Sequence, residues 1–168
     1  MSLAAFLTAH RHEGIVLVRI EGTAGSTPRE AGASMAVTAN AIAGTIGGGQ
    51  LEYMAIDQAR RAIRSGLSAE PMTVPLGPEI GQCCGGRVGL SFTAMHPALA
   101  DDLIARSDKE MAERPHVYVF GAGHVGDALV EALSLAPLRV VLVDTREEEL
   151  TACTVPRIET CLTAMPEA

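Results

Sequence analysis

The sequence HVYVFGAGHVG, residues 116–126, decides the fold of the C-terminal part of this 168-residue chain. Its first five residues are β-branched or aromatic at most positions and predict a strand over 116–120. The glycines at 121, 123 and 126 form a G-x-G-x-x-G turn, a helix is predicted over 127–135, and a second strand is predicted over 139–144. This order predicts a βαβ unit that carries a dinucleotide fingerprint.

Each residue of the fingerprint has a physical role in binding a phosphate. Gly121 permits the tight turn, Gly123 lets a phosphate approach the helix N-terminus, and Gly126 allows the helix to pack closely on the strand. Asp144, at the end of the next strand, offers acceptors to a ribose diol. These four are candidate cofactor-binding residues, although the same fold also occurs without a nucleotide.

Two further side chains near this turn leave alternatives open. His124 lies inside the turn, where its imidazole faces a bound cofactor or caps the helix, and capping is the simpler interpretation. Arg146 either accommodates a 2′-phosphate or pairs with the acids at 147–149. The pattern therefore does not decide the cofactor preference.

The residues before this unit predict a different kind of domain. Short β-branched runs alternate with loops, and one long stretch has helical periodicity. The predicted elements are helices over 3–10 and 50–65 and strands over 14–21, 34–38, 41–46, 72–76 and 87–93. We therefore predict an α/β chain, with an N-terminal α+β domain over 1–94, a charged helical connector over 95–115 and a partial Rossmann-like βαβ domain over 116–168.

Two glycine-rich loops of the N-terminal domain are candidate binding elements. The loop over 22–32 presents Ser26 and Arg29 as exposed polar groups. The second loop contains Gly47, Gly48 and Gly49 and leads into the long helix, whose N-terminus offers unpaired N–H groups to an anion. A plain strand-to-helix turn that needs positive φ explains these three glycines equally well.

A third loop, over 77–86, contains Gln82, Cys83 and Cys84 between glycines. Adjacent thiols in such surroundings have little packing value, so the pair is a candidate soft-metal ligand or a catalytic sulfur-transfer thiolate. Inert small residues and a vicinal disulfide are the alternatives. Cys153 and Cys161 have no zinc-type spacing relative to this pair, which disfavours a structural zinc site.

The composition excludes several classes of partner and location. The net charge is -7 without a basic block, which disfavours nucleic acid as a partner. The chain has no signal-peptide pattern and no apolar window of the roughly 18 residues that would span a membrane. We expect a soluble, cytoplasmic protein whose cysteines are reduced.

Four motifs, taken together and in this order, resemble the xanthine dehydrogenase accessory family, XdhC/CoxI. They are GSTPR at 25–29, GTIGGGQLE at 44–52, QCCGG at 82–86, and GAGHVG at 121–126 followed by Asp144 and Arg146. The resemblance covers nearly the whole chain. The first three motifs are more particular to the family than the glycine fingerprint is.

The resemblance implies a chaperone that binds the molybdenum cofactor (molybdopterin). Such a chaperone supports replacement of an oxo ligand by sulfido together with a cysteine desulfurase, and delivers the product to a xanthine dehydrogenase-type apoenzyme. Cys83 and Cys84 would contact molybdenum or carry sulfur, with Gln82 and the two glycine loops beside them.

The resemblance also raises a question about the C-terminal part. Family members usually continue with further strands and helices, whereas the pattern here predicts one βαβ unit and a short tail over 150–168. One crossover helix does not cover both faces of a parallel sheet, so we expect a truncated form or a sheet completed by a partner, with a homodimer as the simplest case. A nicotinamide-dependent oxidoreductase and a subunit that only scaffolds a dehydrogenase complex stay open as alternatives.

Overall fold

The computed structural model describes residues 2–81 and 85–164 and divides the chain into two compact units. The first unit is Met1–Ser107 and the second is Asp108–Ala168. The first contains an antiparallel sheet and the second a parallel sheet with helices, which confirms the predicted α/β class. The predicted domain limits at residues 94 and 116 stay a prediction.

The first unit is built on a five-stranded sheet with the order β3-β2-β1-β5-β4. The strands are β1 (Val16–Ala24), β2 (Ser34–Val37), β3 (Ile42–Gly44), β4 (Met72–Pro75) and β5 (Arg87–Ala94). Strand β1 is longer than predicted, because residues 22–24 pair with β5 as Gly22↔Gly89, Thr23↔Val88 and Ala24↔Arg87. The register shifts between Ile20 and Gly22, which leaves Glu21 as the extra residue of a bulge.

Helices cover this sheet. Helix α1 (Leu3–Ala9) is capped by Ser2, whose hydroxyl accepts a hydrogen bond from the Ala5 N–H. Helix α2 (Gly49–Ser65) buries Leu51, Ala55 and Ala59 against the sheet, as its periodicity predicts, and ends at Gly66 in the left-handed conformation. A short 3₁₀ turn (Pro78–Ile80) lies between β4 and β5.

The second unit is a parallel three-stranded sheet with the order β6-β7-β8. Helix α3 (Pro97–Ala112) precedes it and contains the division between the units. The other elements are β6 (His116–Phe120), α4 (His124–Leu133), β7 (Arg139–Asp144), α5 (Glu147–Ala152) and β8 (Ile158–Leu162). Val130 of α4 and Leu150 of α5 pack in one core with Leu142 of β7, so both crossover helices lie on the same face.

The prediction of a single βαβ unit and a short tail is wrong, because α5 and β8 add a second crossover and a third strand. Helix α5 has only six residues, which is too short for helical periodicity to identify it. Most residues of β8 are exposed, so the strand has no apolar alternation to mark it either. Tyr118 and Phe120, at alternate positions of β6, are 55% and 60% exposed. Homodimerisation stays a prediction.

In the described part of the chain, no helix has both the length and the apolar character that spanning a bilayer requires.

Candidate functional site

Two loops that the sequence places far apart meet in the first unit. A Cβ atom added to Gly86 would lie 2.1 Å from the Ser26 carbonyl oxygen and 2.8 Å from that of Ala24. A Cβ atom added to Gly25 would lie 3.2 Å from the Gly86 Cα. The backbone around Ser26 therefore packs directly on the glycines that follow the two thiols in sequence, and only glycine permits this approach at position 86.

The turn before α2 joins the same cluster. A Cβ atom on Gly47 would lie 2.5 Å from Pro28 Cγ, so the glycine backbone packs against the proline of the 25–29 motif. Gly47, Gly48 and Gly49 all have positive φ, at 123°, 80° and 63°. We call this cluster the three-loop site and define it as residues 24–29, 45–48, 76–81 and 85–86.

Backbone hydrogen bonds fix both ends of the thiol loop. The Leu76 N–H donates to the Gly86 carbonyl at 2.8 Å, and the Gly85 N–H donates to the Leu76 carbonyl at 2.9 Å. The predicted site residues Gln82, Cys83 and Cys84 lie outside the described residues, so their roles stay predictions. Their attachment points at Gly81 and Gly85 belong to the three-loop site.

Ser26 and Arg29 are both exposed at this cluster, as predicted. The Thr27 hydroxyl donates to the Arg29 carbonyl at 3.0 Å and shapes the loop. Within residues 2–81 and 85–164, the Arg29 guanidinium has no carboxylate partner, which leaves its five N–H donors available to an anion. A surface depression lined by Pro28, Arg29, Glu30, Ala31 and Ala33 lies beside it.

Glu52, the acid in the first turn of α2 and the last residue of the 44–52 motif, was not among the predicted site residues. Its Oε1 atom accepts hydrogen bonds from the Ile46 N–H at 2.9 Å, from the Gly48 N–H at 3.0 Å and from the Thr45 hydroxyl. Burial by itself would raise the pKa of Glu52, but the Thr45 hydroxyl and the backbone N–H groups of the turn lower it below its ordinary value. An acid in the first turn of a helix that follows a glycine turn was the available signal.

The glycine turn of the second unit has the close packing that its spacing predicts. A Cβ atom on Gly126 would lie 1.8 Å from the Gly121 carbonyl oxygen, and Gly121 has φ 98°. Helix α4 begins at His124, three residues earlier than predicted, with Gly123 at the N-cap. The predicted capping role of His124 is wrong, since no side chain makes a cap hydrogen bond there, and the His124 side chain is exposed.

Asp144 uses its carboxylate within the chain itself. Oδ2 accepts from the Ala122 N–H at 2.6 Å and from Arg146 Nη2 at 2.9 Å, and Oδ1 accepts from the Arg146 backbone N–H at 2.9 Å and from Arg146 Nε at 3.0 Å. A carboxylate has about four acceptor positions, so these four hydrogen bonds fill them. The role of Asp144 as a ribose acceptor stays a prediction, and it requires Arg146 to move away first.

The contacts of Arg146 support one of its two predicted roles, the pairing with the acids at 147–149. Besides Asp144 it pairs with Glu149, one of the predicted acids, through Nη1 at 3.1 Å. The Arg146 guanidinium first, and the Ala122 N–H after it, hold the pKa of Asp144 well below its usual range. Burial of the carboxylate opposes this shift without cancelling it.

This shift predicts how stability depends on pH. Because the folded-state pKa of Asp144 is depressed, its contribution is complete above the unfolded-state pKa of about 3.9 and is lost as pH falls through the folded value. We expect the difference in melting temperature between wild type and Asp144→Asn to narrow as pH falls from about 5 to about 2. Thermal unfolding followed by circular dichroism at each pH measures this difference. The matched control is Glu110→Gln, which changes an exposed acid. A constant difference across this range would contradict the role of the charged carboxylate.

No group of three His, Cys, Asp or Glu side chains in the described part of the chain is arranged to hold a metal ion. The predicted metal-binding role rests on Cys83 and Cys84, which lie outside that part. It stays a prediction.

The chain is similar to a protein family, to a curated protein and to a solved structure. Residues 8–74 match the model of the XdhC and CoxI family. The chain is 26% identical over 151 residues to the uncharacterized protein YqeB of Escherichia coli strain K12, covering 88% of this chain and 25% of YqeB. It thus spans a quarter of the length of this relative. The fold is similar to the crystal structure of a xanthine dehydrogenase from Bacillus halodurans, with a TM-score of 0.78 and 16% identity over 97% of this chain and 68% of the other.

Proposed function

We propose that the protein is a maturation factor for a xanthine dehydrogenase-type molybdoenzyme, since residues 8–74 match the model of the XdhC and CoxI family. Its cargo is the molybdenum cofactor. The protein holds this cofactor at the three-loop site during sulfuration and then delivers it to the apoenzyme.

The convergence of three sequence motifs is the observation that carries the proposal. The 25–29 loop packs on Gly86 on one side and on Gly47 on the other, so all three family-like motifs of the first unit contribute to one cluster. These motifs are separated along the chain. Close packing between the loops accounts for Gly86 and Gly47, whereas Gly48 and Gly85 have nothing within 4 Å of an added Cβ and leave open space beside the backbone. Bare backbone lets a ligand come close, which suits a large flat cargo.

The donor set of the cluster fits such a cargo. Thiolates are suitable ligands for a soft metal, so Cys83 and Cys84 are assigned to molybdenum or to the transferred sulfur. The cofactor also carries a phosphate, and the Arg29 guanidinium, which has no carboxylate partner among the described residues, is a suitable partner for it. Ser26, exposed on the same loop, adds a hydroxyl that both donates and accepts.

Delivery requires contact with two other proteins. A cysteine desulfurase supplies the sulfur, and a xanthine dehydrogenase-type apoenzyme receives the cofactor. A homodimer is part of the same proposal, and the exposed aromatic side chains of β6 support it as apolar surface suited to burial. The nicotinamide-dependent alternative has less support, because Asp144 already accepts four hydrogen bonds from within the chain.

Loading the purified chain with isolated molybdenum cofactor tests the proposal. After size-exclusion chromatography, molybdenum and pterin per protein are quantified. We expect near-stoichiometric retention by wild type and a loss of at least about tenfold, or 1.4 kcal/mol, in Cys83→Ser/Cys84→Ser. The matched control is Cys153→Ser/Cys161→Ser, which removes the two free thiols of the second unit and is expected to retain cofactor like wild type.

Two results would count against the proposal. A folded wild-type protein that retains no cofactor would remove the carrier function. Equal retention by the two double variants would remove the assignment of Cys83 and Cys84 while leaving the carrier function in place.

A further inference from the structure

We infer that Glu52 is the positioning residue of the three-loop site, whose carboxylate holds the loops at the distance that cofactor binding needs. The inference rests on the proposed function for its ligand. Its structural part, a relay of contacts from Glu52 to the thiol loop, stands on hydrogen bonds and close approaches within the first unit.

The first step of the relay is the carboxylate itself. Glu52 Oε1 accepts from the N–H groups of Ile46 and Gly48 and from the Thr45 hydroxyl, so one oxygen gathers three donors. The Thr45 hydroxyl in turn accepts from the Gly47 N–H at 3.1 Å. Four consecutive residues before α2 are thereby fixed in one conformation by an acid from its first turn.

These hydrogen bonds do more than cap a helix. The N-cap of α2 is Gly48, and a capping acid satisfies donors of the first helical turn. Glu52 instead reaches back to Ile46 and Thr45, which precede the N-cap. It therefore orients the turn that leads into the helix as well as the helix end.

The second step passes from the turn to the 25–29 loop. The Gly47 backbone packs so closely on Pro28 that an added Cβ would lie 2.5 Å from Pro28 Cγ. A displaced turn therefore either clashes with Pro28 or leaves it without support. This contact lies at the surface, with Pro28 exposed and Gly47 half-buried, and Gly47 has no side chain that could adjust to take up a displacement of the turn.

The third step reaches the thiol loop. The backbone between Ala24 and Ser26 lies against Gly86, whose added Cβ would meet the Ser26 carbonyl oxygen at 2.1 Å. Gly86 accepts a hydrogen bond from Leu76, and its neighbour Gly85 donates one to the same residue. Gly85 and Gly86, which follow the two thiols in sequence, are thus held by a surface that Glu52 positions.

The hydrogen bonds to Glu52 also weaken the predicted role of the glycine turn as an anion-binding element. The sequence offered Gly47, Gly48 and Gly49 as donors to an anionic ligand, but the Gly48 N–H already donates to Glu52. The same carboxylate adds a negative charge at this helix end. The cofactor phosphate is therefore expected at the Arg29 side of the site rather than on this turn.

Two variants and a control test the relay. Glu52→Ala removes the acceptor, Glu52→Gln keeps an acceptor oxygen without the charge, and Glu70→Ala removes an exposed acid elsewhere in the same unit. Amide hydrogen exchange of the unloaded protein measures how well the loops are held. The molybdenum and pterin retained per protein measure cofactor binding at the site. If Glu52→Ala does not fold, Thr45→Val replaces it, because it removes the hydroxyl that links Glu52 to Gly47.

We expect Glu52→Ala to speed exchange about tenfold or more at the Ile46 and Gly48 amides, since a charge-assisted acceptor is lost, and also at the hydrogen-bonded amides of Leu76 and Gly85. Cofactor retention should fall about tenfold, Glu52→Gln should recover more than half of it, and Glu70→Ala should match wild type. Faster exchange confined to 45–48 would overturn the relay, and so would Glu52→Ala retaining cofactor like wild type. If wild type binds no cofactor, the proposed function fails, while the exchange pattern still decides the relay.

Discussion

Gly126→Ala is expected to lower the free energy of unfolding of the second unit by about 3 kcal/mol. The new methyl group would lie 1.8 Å from the Gly121 carbonyl oxygen and 2.9 Å from its carbonyl carbon. Both are backbone atoms, so no side-chain rotation relieves the overlap. Either α4 moves away from β6 or the turn opens, and both cost packing in the core around Leu142.

Gly123→Ala is the matched control for this substitution. Gly123 lies in the same turn, has φ -89° and has nothing within 4 Å of an added Cβ. Gly123→Ala is expected to lower the free energy of unfolding by less than about 1 kcal/mol, the usual cost of a poorer N-cap. Urea unfolding followed by circular dichroism gives both values, and hydrogen exchange of β6–β8 assigns the loss to the second unit. Equal free energies of unfolding for Gly126→Ala and Gly123→Ala would show that the turn tolerates a side chain at position 126.

Gly86→Ala is expected to separate the thiol loop from the 25–29 loop and to abolish cofactor retention. The methyl group would lie 2.1 Å from the Ser26 carbonyl oxygen and 2.8 Å from that of Ala24, again against backbone. We expect a loss of about 2–3 kcal/mol in the first unit. Retention should fall further than stability alone explains, because the overlap lies inside the proposed site.

Gly22→Ala provides the comparison in the same unit. Gly22 lies in β1 opposite Gly89, and an added Cβ meets nothing within 4 Å. It is expected to change stability by less than about 1 kcal/mol and to retain cofactor like wild type. Retention measured at a temperature where both variants are folded separates the site from global stability. A Gly86→Ala protein that retains cofactor would mean that the contact between these loops is dispensable.

Local patterns identified the elements whose signals lie within a few residues. The apolar spacing of residues 51–63 predicted α2, which begins at Gly49, one residue before the predicted start. The glycine fingerprint predicted the close contact between Gly126 and Gly121. In each case the physical cause, a helical face or a tight turn, is local and therefore visible in the sequence.

The missed features depend on partners that are distant or on signals that are weak. Residues 22–24, Gly-Thr-Ala, were predicted as part of the glycine- and proline-containing loop over 22–32, yet pairing with β5 makes them strand. Helix α5 and strand β8 are short and largely exposed. Three of the four hydrogen bonds to Asp144 come from Arg146, and two of these need its side chain to fold back onto Asp144, a pairing that was not among the two roles predicted for Arg146.

The candidate site could be predicted as a set of residues but not as an arrangement. The sequence singled out Ser26, Arg29 and the glycines because of their residue types, and these loops do lie together. It did not single out Glu52, because a glutamate in a first helical turn is ordinary and its hydrogen bonds to Ile46 and Thr45 are visible only in three dimensions.

The pairing of β1 with β5 has a consequence for how the protein folds. These strands are adjacent in the sheet, yet Glu21 and Ser91, which share a hydrogen bond across them, are 70 residues apart in the chain. Such non-local pairing closes a long loop before it gains any contact, and therefore forms slowly. On a ribosome that adds about 5–20 residues per second, the 25–29 loop emerges several seconds before its partner strand. The three loops are therefore expected to come together in one late step, and a nascent chain that lacks β5 has not yet assembled the three-loop site.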